Sequence, residues 1–166
     1  MSQIIIRIIA DGTLIPLVLF GTYLLIAKVP RNLRVQVYSR ILMAGLTAYL
    51  LAKLLGFIYQ PSYERPFELM GVAAGASFLN NPGFPSDHAL FASAITWAVW
   101  FATKQKVPSL IMAGLTIVLC VGRVLALVHT PIDVVGGVVI ASVGALWYLN
   151  DAPYFIYGVI LHSQQK

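Results

Sequence analysis

Apolar residues run along this chain in five long blocks, near residues 12–27, 41–59, 89–103, 108–128 and 131–149, parted by short polar stretches. Each block approaches the ~20 residues that a helix needs to cross a bilayer. The third is short unless His88 and its cap lie in the interface. The pattern predicts an all-α, polytopic bundle of about five spans, a single membrane domain over residues 1–166.

The stretch before the first block, residues 1–11, is apolar but carries Arg7 and Asp11. It is too short to span alone and lacks a signal-peptide cleavage pattern. It is either an interfacial lead-in or the start of the first helix, and Asp11 either an interface residue or a partner for Arg7. Residues 68–78, rich in Ala and Gly, form either a short helix roofing the bundle or an ordered loop. Their Gly71 and Gly75 are only a weak small-xxx-small hint. Trp97, Trp100 and Trp147 read as lipid-facing or interface anchors. Beyond Asn150, Tyr154, Phe155 and Tyr157 suit an interface, while His162 sits in a polar tail and reads as solvated.

Composition agrees with the pattern: 59% of the 166 residues are hydrophobic and 10% charged, against about a quarter charged in soluble domains. The lone Cys120 lies in an apolar block, so no intramolecular disulfide is expected. The net charge of +5 does not point to nucleic acid, because the basic residues fall in short loops. Lys28, Arg31, Arg34 and Arg40 join blocks one and two, and Lys104 and Lys106 join blocks three and four. By the positive-inside rule these loops face the cytoplasm. The loop 60–87 carries Glu64, Glu68 and Asp87 against Arg65, so it faces out. Five spans then put the N-terminus outside and the C-terminus inside.

Against this apolar background a few polar residues stand out. Arg123, His129 and Asp133 lie around the junction of the last two blocks, and ionisable groups near membrane depth usually mark function. Thr130 and Pro131 suit the cap and first position of a helix. Asp133 is then within reach of His129, where a carboxylate can hold an imidazole in one tautomer and free its other nitrogen for attack. The plain alternative is that Asp133 caps the helix and Arg123 snorkels. A turn-rich run from Asn81 to His88 leads into the third block. Ser86 can cap that helix, whose first N–H groups then face an anion. His88 falls in its first turn. Glu64-Arg65-Pro66 supplies a second arginine.

Arg65-Pro66, Pro85-Ser86-x-His88 and Arg123-x5-His129-x3-Asp133 together resemble the type 2 phosphatidic acid phosphatase (PAP2) superfamily of membrane phosphatases. Its pattern is Lys-x6-Arg-Pro, Pro-Ser-Gly-His and Ser-Arg-x5-His-x3-Asp, here covering residues 53–133. Three positions depart from it. Asp87 replaces glycine, as in the branch resembling bacterial undecaprenyl-diphosphate phosphatases. Gly122 replaces serine. Eleven residues separate Lys53 from Arg65, and the expected lysine position holds Ile58.

The resemblance implies His129 as nucleophile forming a phosphohistidine, Asp133 orienting it, and His88 as general acid and then base. Arg65, Arg123, Ser86 and Lys53 would bind phosphate. No cofactor or metal is expected. A zinc set of His88, His129 and Asp133 fits no helical zinc spacing and would lie beside two arginines. The expected substrate is a lipid phosphate or diphosphate, foremost undecaprenyl diphosphate at the outer face of a bacterial-type plasma membrane. Phosphatidic acid or phosphatidylglycerophosphate is the alternative. A non-enzymatic transporter or structural bundle ranks behind both.

Overall fold

The computed structural model describes residues 2–59, 65–81 and 83–151, among which there are helices and no strand. Helix α1 (Gln3–Arg7) passes through a π-helical turn (Ile8–Gly12) into α2 (Leu14–Lys28). The N-terminal segment is therefore the start of the first helix. A 3-10 turn (Arg31–Leu33) leads into α3 (Arg34–Ile58). After the single turn α4 (Pro66–Leu69) come α5 (Asp87–Thr103), α6 (Lys106–Leu125) and α7 (Pro131–Gly144), the last extended by a 3-10 stretch (Ala145–Asp151).

Among the described residues, four stretches are long and apolar enough to cross a membrane: Gln3–Lys28, Arg31–Ile58, Lys106–Leu125 and Pro131–Leu149. The remaining expected span, the third, is helical but shorter. At 17 residues, α5 is about 26 Å long, under the ~30 Å of a hydrocarbon core. Its start lies inside the protein, with Ser86 and Ala89 fully buried. Helix α5 is the hub of the bundle and packs on α2, α3, α6 and α7.

Small residues make that arrangement possible. Ala89, Ala92, Ser93 and Ala98 of α5 are buried, as are Ala44, Ala48 and Ala52 of α3, spaced one turn apart. Side chains of this size let backbones approach where lipid offers no hydrophobic contrast. Larger groups fill the space between α2, α5 and α6, namely Leu17, Leu24, Val99, Met112 and Leu119. Polar groups join helices across the bundle. Thr96 and Thr116 hydroxyls meet at 2.9 Å. Trp97 donates to Ser142 at 3.1 Å and Trp147 to Thr47 at 2.9 Å. These two indoles, read from sequence as outer anchors, thus also hold helices together. Leu46, Leu50 and Leu54 of α3 and Val135 and Val139 of α7 face outward, as lipid contact requires.

At one end of the bundle, Arg34 donates to the carbonyls of Ile26 and Val29 and closes the turn between α2 and α3. At the other end lie the C-termini of α3 and α6, the N-termini of α5 and α7, and the π-helical turn. Of the loop 68–78, only the turn ending at Leu69 is helical. The remainder is an ordered loop, tied to the α6 end by Gly75 N donating to Ala126 O at 3.0 Å. The sequence readings of Glu64, Tyr154, Phe155, Tyr157 and His162 lie outside the described residues.

Candidate functional site

The start of α7 is a reciprocal cap. Asp133 N donates to Thr130 Oγ1 at 3.3 Å, and Thr130 N donates to Asp133 Oδ2 at 2.7 Å. The same carboxylate oxygen lies 3.8 Å from His129 Nδ1, an electrostatic contact longer than a hydrogen bond. Asp133 therefore caps the helix and faces His129, but it does not hold the ring by a hydrogen bond as the functional reading expected. The hydrogen bond to His129 Nδ1 comes from elsewhere: Gly83 O lies 3.0 Å away. In the tautomer in which Nδ1 donates to that carbonyl, Nε2 keeps its lone pair. Burial holds the His129 pKa below its ordinary value, aided by the charges of Arg123 and Arg65 and opposed by Asp133. The ring is thus kept neutral, the form that can attack.

The chain between α6 and α7 is tightly turned. Leu127 sits at φ 59°, a left-handed conformation costly for leucine. Its carbonyl accepts from Phe67 N at 3.0 Å, and the next carbonyl, Val128 O, accepts from Arg65 Nη1 at 2.6 Å. Strain of this kind gathers where surrounding structure fixes a functional group. Here it sets His129 facing the cavity and Val128 O facing an arginine.

At the start of α5, Ser86 is the N-cap, accepting from Ala89 N at 3.4 Å. Its own N–H donates to Asp133 O at 2.9 Å, joining the starts of α5 and α7. The two helices can approach this closely because of Gly137, where a Cβ would stand 2.7 Å from Ser86 O.

Both arginines are buried and heavily engaged. Arg65 Nη2 donates to Leu79 O at 2.9 Å, Asn81 O at 3.1 Å and Asn81 Oδ1 at 2.9 Å. Burial lowers its pKa, against the raising effect of Asp133, Glu68 and Asp87. A guanidinium remains charged all the same. Arg123 is 1% exposed. Its Nη1 donates to Asp11 Oδ1 at 2.7 Å and its Nη2 to Ser77 O at 2.8 Å. Its buried Nε has no acceptor among the described residues.

These groups meet around a cavity of about 130 Å³ lined by Arg65, His88, Arg123 and His129, with Ser77, Phe78, Leu79, Asn81 and Asp87. Ser86 and Asp133 stand behind its wall as supports. Lys53 is not in that lining. Its ammonium is paired with Asp87 at 3.1 Å, and the two line a second, apolar groove of about 550 Å³ running between α3 and α5. The groove and the polar cavity share Leu79 and Asp87. Among the described residues, no group of three or more His, Cys, Asp or Glu could hold a metal ion.

Sequence reading missed Asp11 as a partner of Arg123, Ser77 and Asn81 as arginine acceptors, and Gly83 O as the partner of His129. Only Asp11 carried a signal, being a carboxylate in an apolar stretch.

Residues 35–157 match the family model of the PAP2 superfamily. The chain therefore belongs to that superfamily, whose members are phosphatases. No curated protein and no solved structure matches the chain.

Proposed function

We propose that this PAP2 superfamily member hydrolyses a lipid diphosphate of the polyprenyl type, undecaprenyl diphosphate foremost, at the extracytoplasmic face of a bacterial-type plasma membrane. The observation that carries the reading is the polar cavity, with its buried His129 and arginines, opening beside a long apolar groove. A phosphoryl head fits the first and a hydrocarbon chain the second.

In the reaction, the terminal phosphoryl group lies between Arg65 and Arg123, whose free N–H groups and the N–H groups at the start of α5 offset its charge. His129 Nε2 attacks phosphorus in line, and the bond from phosphorus to the bridging oxygen breaks. The leaving lipid monophosphate takes a proton from His88 as needed. The Gly83 carbonyl and the Asp133 carboxylate stabilise the phosphohistidine, whose ring becomes cationic. Water then loses a proton to His88 and attacks phosphorus, releasing inorganic phosphate and restoring His129. Lys53 stands at the junction of groove and cavity, where it can leave Asp87 for the second phosphate of a diphosphate. That supports a diphosphate over a monophosphate.

The test is phosphate release by purified protein from a panel of polyprenyl diphosphate, phosphatidic acid and phosphatidylglycerophosphate, with chelator and with vanadate. The expected result is preference for the diphosphate, indifference to chelator and inhibition by vanadate, which mimics five-coordinate phosphorus. Preference for a glycerolipid phosphate would move the assignment to that lipid. Loss of activity with chelator and its return with a divalent ion would overturn the metal-free route.

A further inference from the structure

Arg123 is held by a residue 112 positions before it, in a part of the chain outside every motif named above. Asp11 Oδ1 accepts from Arg123 Nη1 at 2.7 Å. Asp11 Oδ2 accepts from Ser77 N at 2.9 Å. Ser77 O in turn accepts from Arg123 Nη2 at 2.8 Å. The three residues close a ring that joins the π-helical turn, the loop over the cavity and α6. Two donors of the guanidinium are thereby spent on protein, and the orientation of the fork is fixed. Nε, buried and without an acceptor among the described residues, is left for a ligand in the cavity that Arg123 lines.

The seat for this contact is cut by Gly122. A Cβ at that position would stand 2.7 Å from Ile9 Cγ2, 2.8 Å from Ala10 N and 2.9 Å from Ala10 Cα. Ala10 is fully buried there. Two of these contacts are to backbone, which cannot swing aside. A serine at position 122, the residue of the pattern this chain departs from, would lift the π-helical turn from α6 and draw Asp11 away. Gly122 and the Asp11 carboxylate are thus two halves of one arrangement.

We infer that Asp11 is a positioning residue for phosphoryl transfer, aiming Arg123 at the transferred group through a contact that Gly122 makes room for. This rests on the phosphatase reading. Asp11 does not touch the substrate. A charge-assisted bond of this length fixes a planar fork well, and misplacement on the order of 1 Å can cost about 10²-fold in rate.

The test uses the full chain in detergent, with steady-state kinetics and direct vanadate binding by calorimetry. Asp11→Asn and Gly122→Ser are each expected to lower kcat roughly 10- to 100-fold and to weaken vanadate binding by a similar factor. For Asp11→Asn, KM should not rise, because removing a negative charge favours ground-state binding of an anion. Asp11→Glu should recover part of the loss. The double variant should be no worse than the poorer single one, as residues acting through one contact are not additive. A fall in kcat with unchanged vanadate affinity would reduce Asp11 to a folding role. Faster turnover of Asp11→Asn would make it a repulsive charge. Either result overturns the inference, as does wild-type behaviour of both variants. If the parent protein releases no phosphate, the hydrolase reading fails on its own. Vanadate binding still decides whether Asp11 positions Arg123.

Discussion

His129 and His88 line one cavity, yet the chemistry asks different things of them. His129 is locked, with Nδ1 at 3.0 Å from Gly83 O and Asp133 close behind. His88 is half-buried in the first turn of α5. His129→Ala should abolish turnover of every substrate, since its ring has Nδ1 held by the Gly83 carbonyl and backed by Asp133, leaving Nε2 to attack. The effect of His88→Ala should depend on what departs. An alkoxide leaving a monophosphate is a strong base that departs poorly without a proton, and acid help is worth roughly 10²–10⁴-fold. A phosphate monoester leaving a diphosphate has a second pKa of about 6 and departs with little help. Single-turnover measurements should therefore show a larger first-step loss with monophosphate, and phosphohistidine accumulating with diphosphate. Equal losses would mean the roles are misassigned. The locked ring also sets the pH response. Burial lowers the His129 pKa from 6.5, so the neutral ring persists below that pH. The acid limb of kcat/KM due to this group should fall under pH 6.5. Because the unfolded chain binds this proton more readily, its contribution to stability is present above the unfolded pKa. It declines as pH falls through 6.5 towards the folded value. An acid limb well above 6.5 would contradict the buried, arginine-flanked ring.

Helix contacts are where sequence legibility divides. Hydropathy disclosed the four long stretches, because a bilayer imposes length and apolarity together. It gave α5 less clearly, because that helix begins inside the protein. The Pro-Ser-x-His and Arg-x5-His-x3-Asp spacings disclosed the groups at the cavity, since caps and first turns are local features. The Asp11–Arg123 pair, the Gly83 carbonyl and the Lys53–Asp87 pair depend on which helix ends meet, and local pattern does not carry that. Lys53 was expected at the phosphate. Five residues of misfit in spacing, over one turn of helix, leave it paired with Asp87 at the edge of the groove. Glycines at helix contacts offer a test. A Cβ at Gly144 would stand 2.5 Å from Ala44 O, far from the cavity, whereas one at Gly137 would press on Ser86 O and Leu90 N beside it. Each alanine substitution should cost about 1–3 kcal/mol by overpacking. Gly144→Ala should lower thermal stability in detergent and spare kcat, while Gly137→Ala should lower both. Gly114→Ala, whose Cβ would meet no other element within 4 Å among the described residues, should be neutral or slightly stabilising. Equal loss of activity in the Gly137 and Gly144 variants would deny the α5–α7 contact a separate role in shaping the site.

Across the whole molecule, chemistry and charge separate to opposite ends. The polar cavity, Asp11 and the Lys53–Asp87 pair lie where α5 and α7 begin. Lys28, Arg31, Arg34, Lys104 and Lys106 lie at the other end, in the short turns from α2 to α3 and from α5 to α6. Basic turns of this length resist crossing a membrane during insertion, and this is the ground for proposing that their end is the cytoplasmic one. In the proposed orientation the cavity opens outward, towards lipid phosphates of the outer leaflet, and the groove between α3 and α5 descends from it among the hydrocarbon chains. Two positions separate this orientation from its reverse. Val72 is exposed on the loop over the cavity, and Gln105 is exposed in the turn between α5 and α6. In a Cys120→Ala background, Val72→Cys should react with an impermeant thiol reagent on intact cells, and Gln105→Cys only after permeabilisation. The opposite pattern would turn the cavity to the cytoplasm and exclude outer-leaflet lipids as its substrates, leaving the hydrolytic chemistry itself untouched.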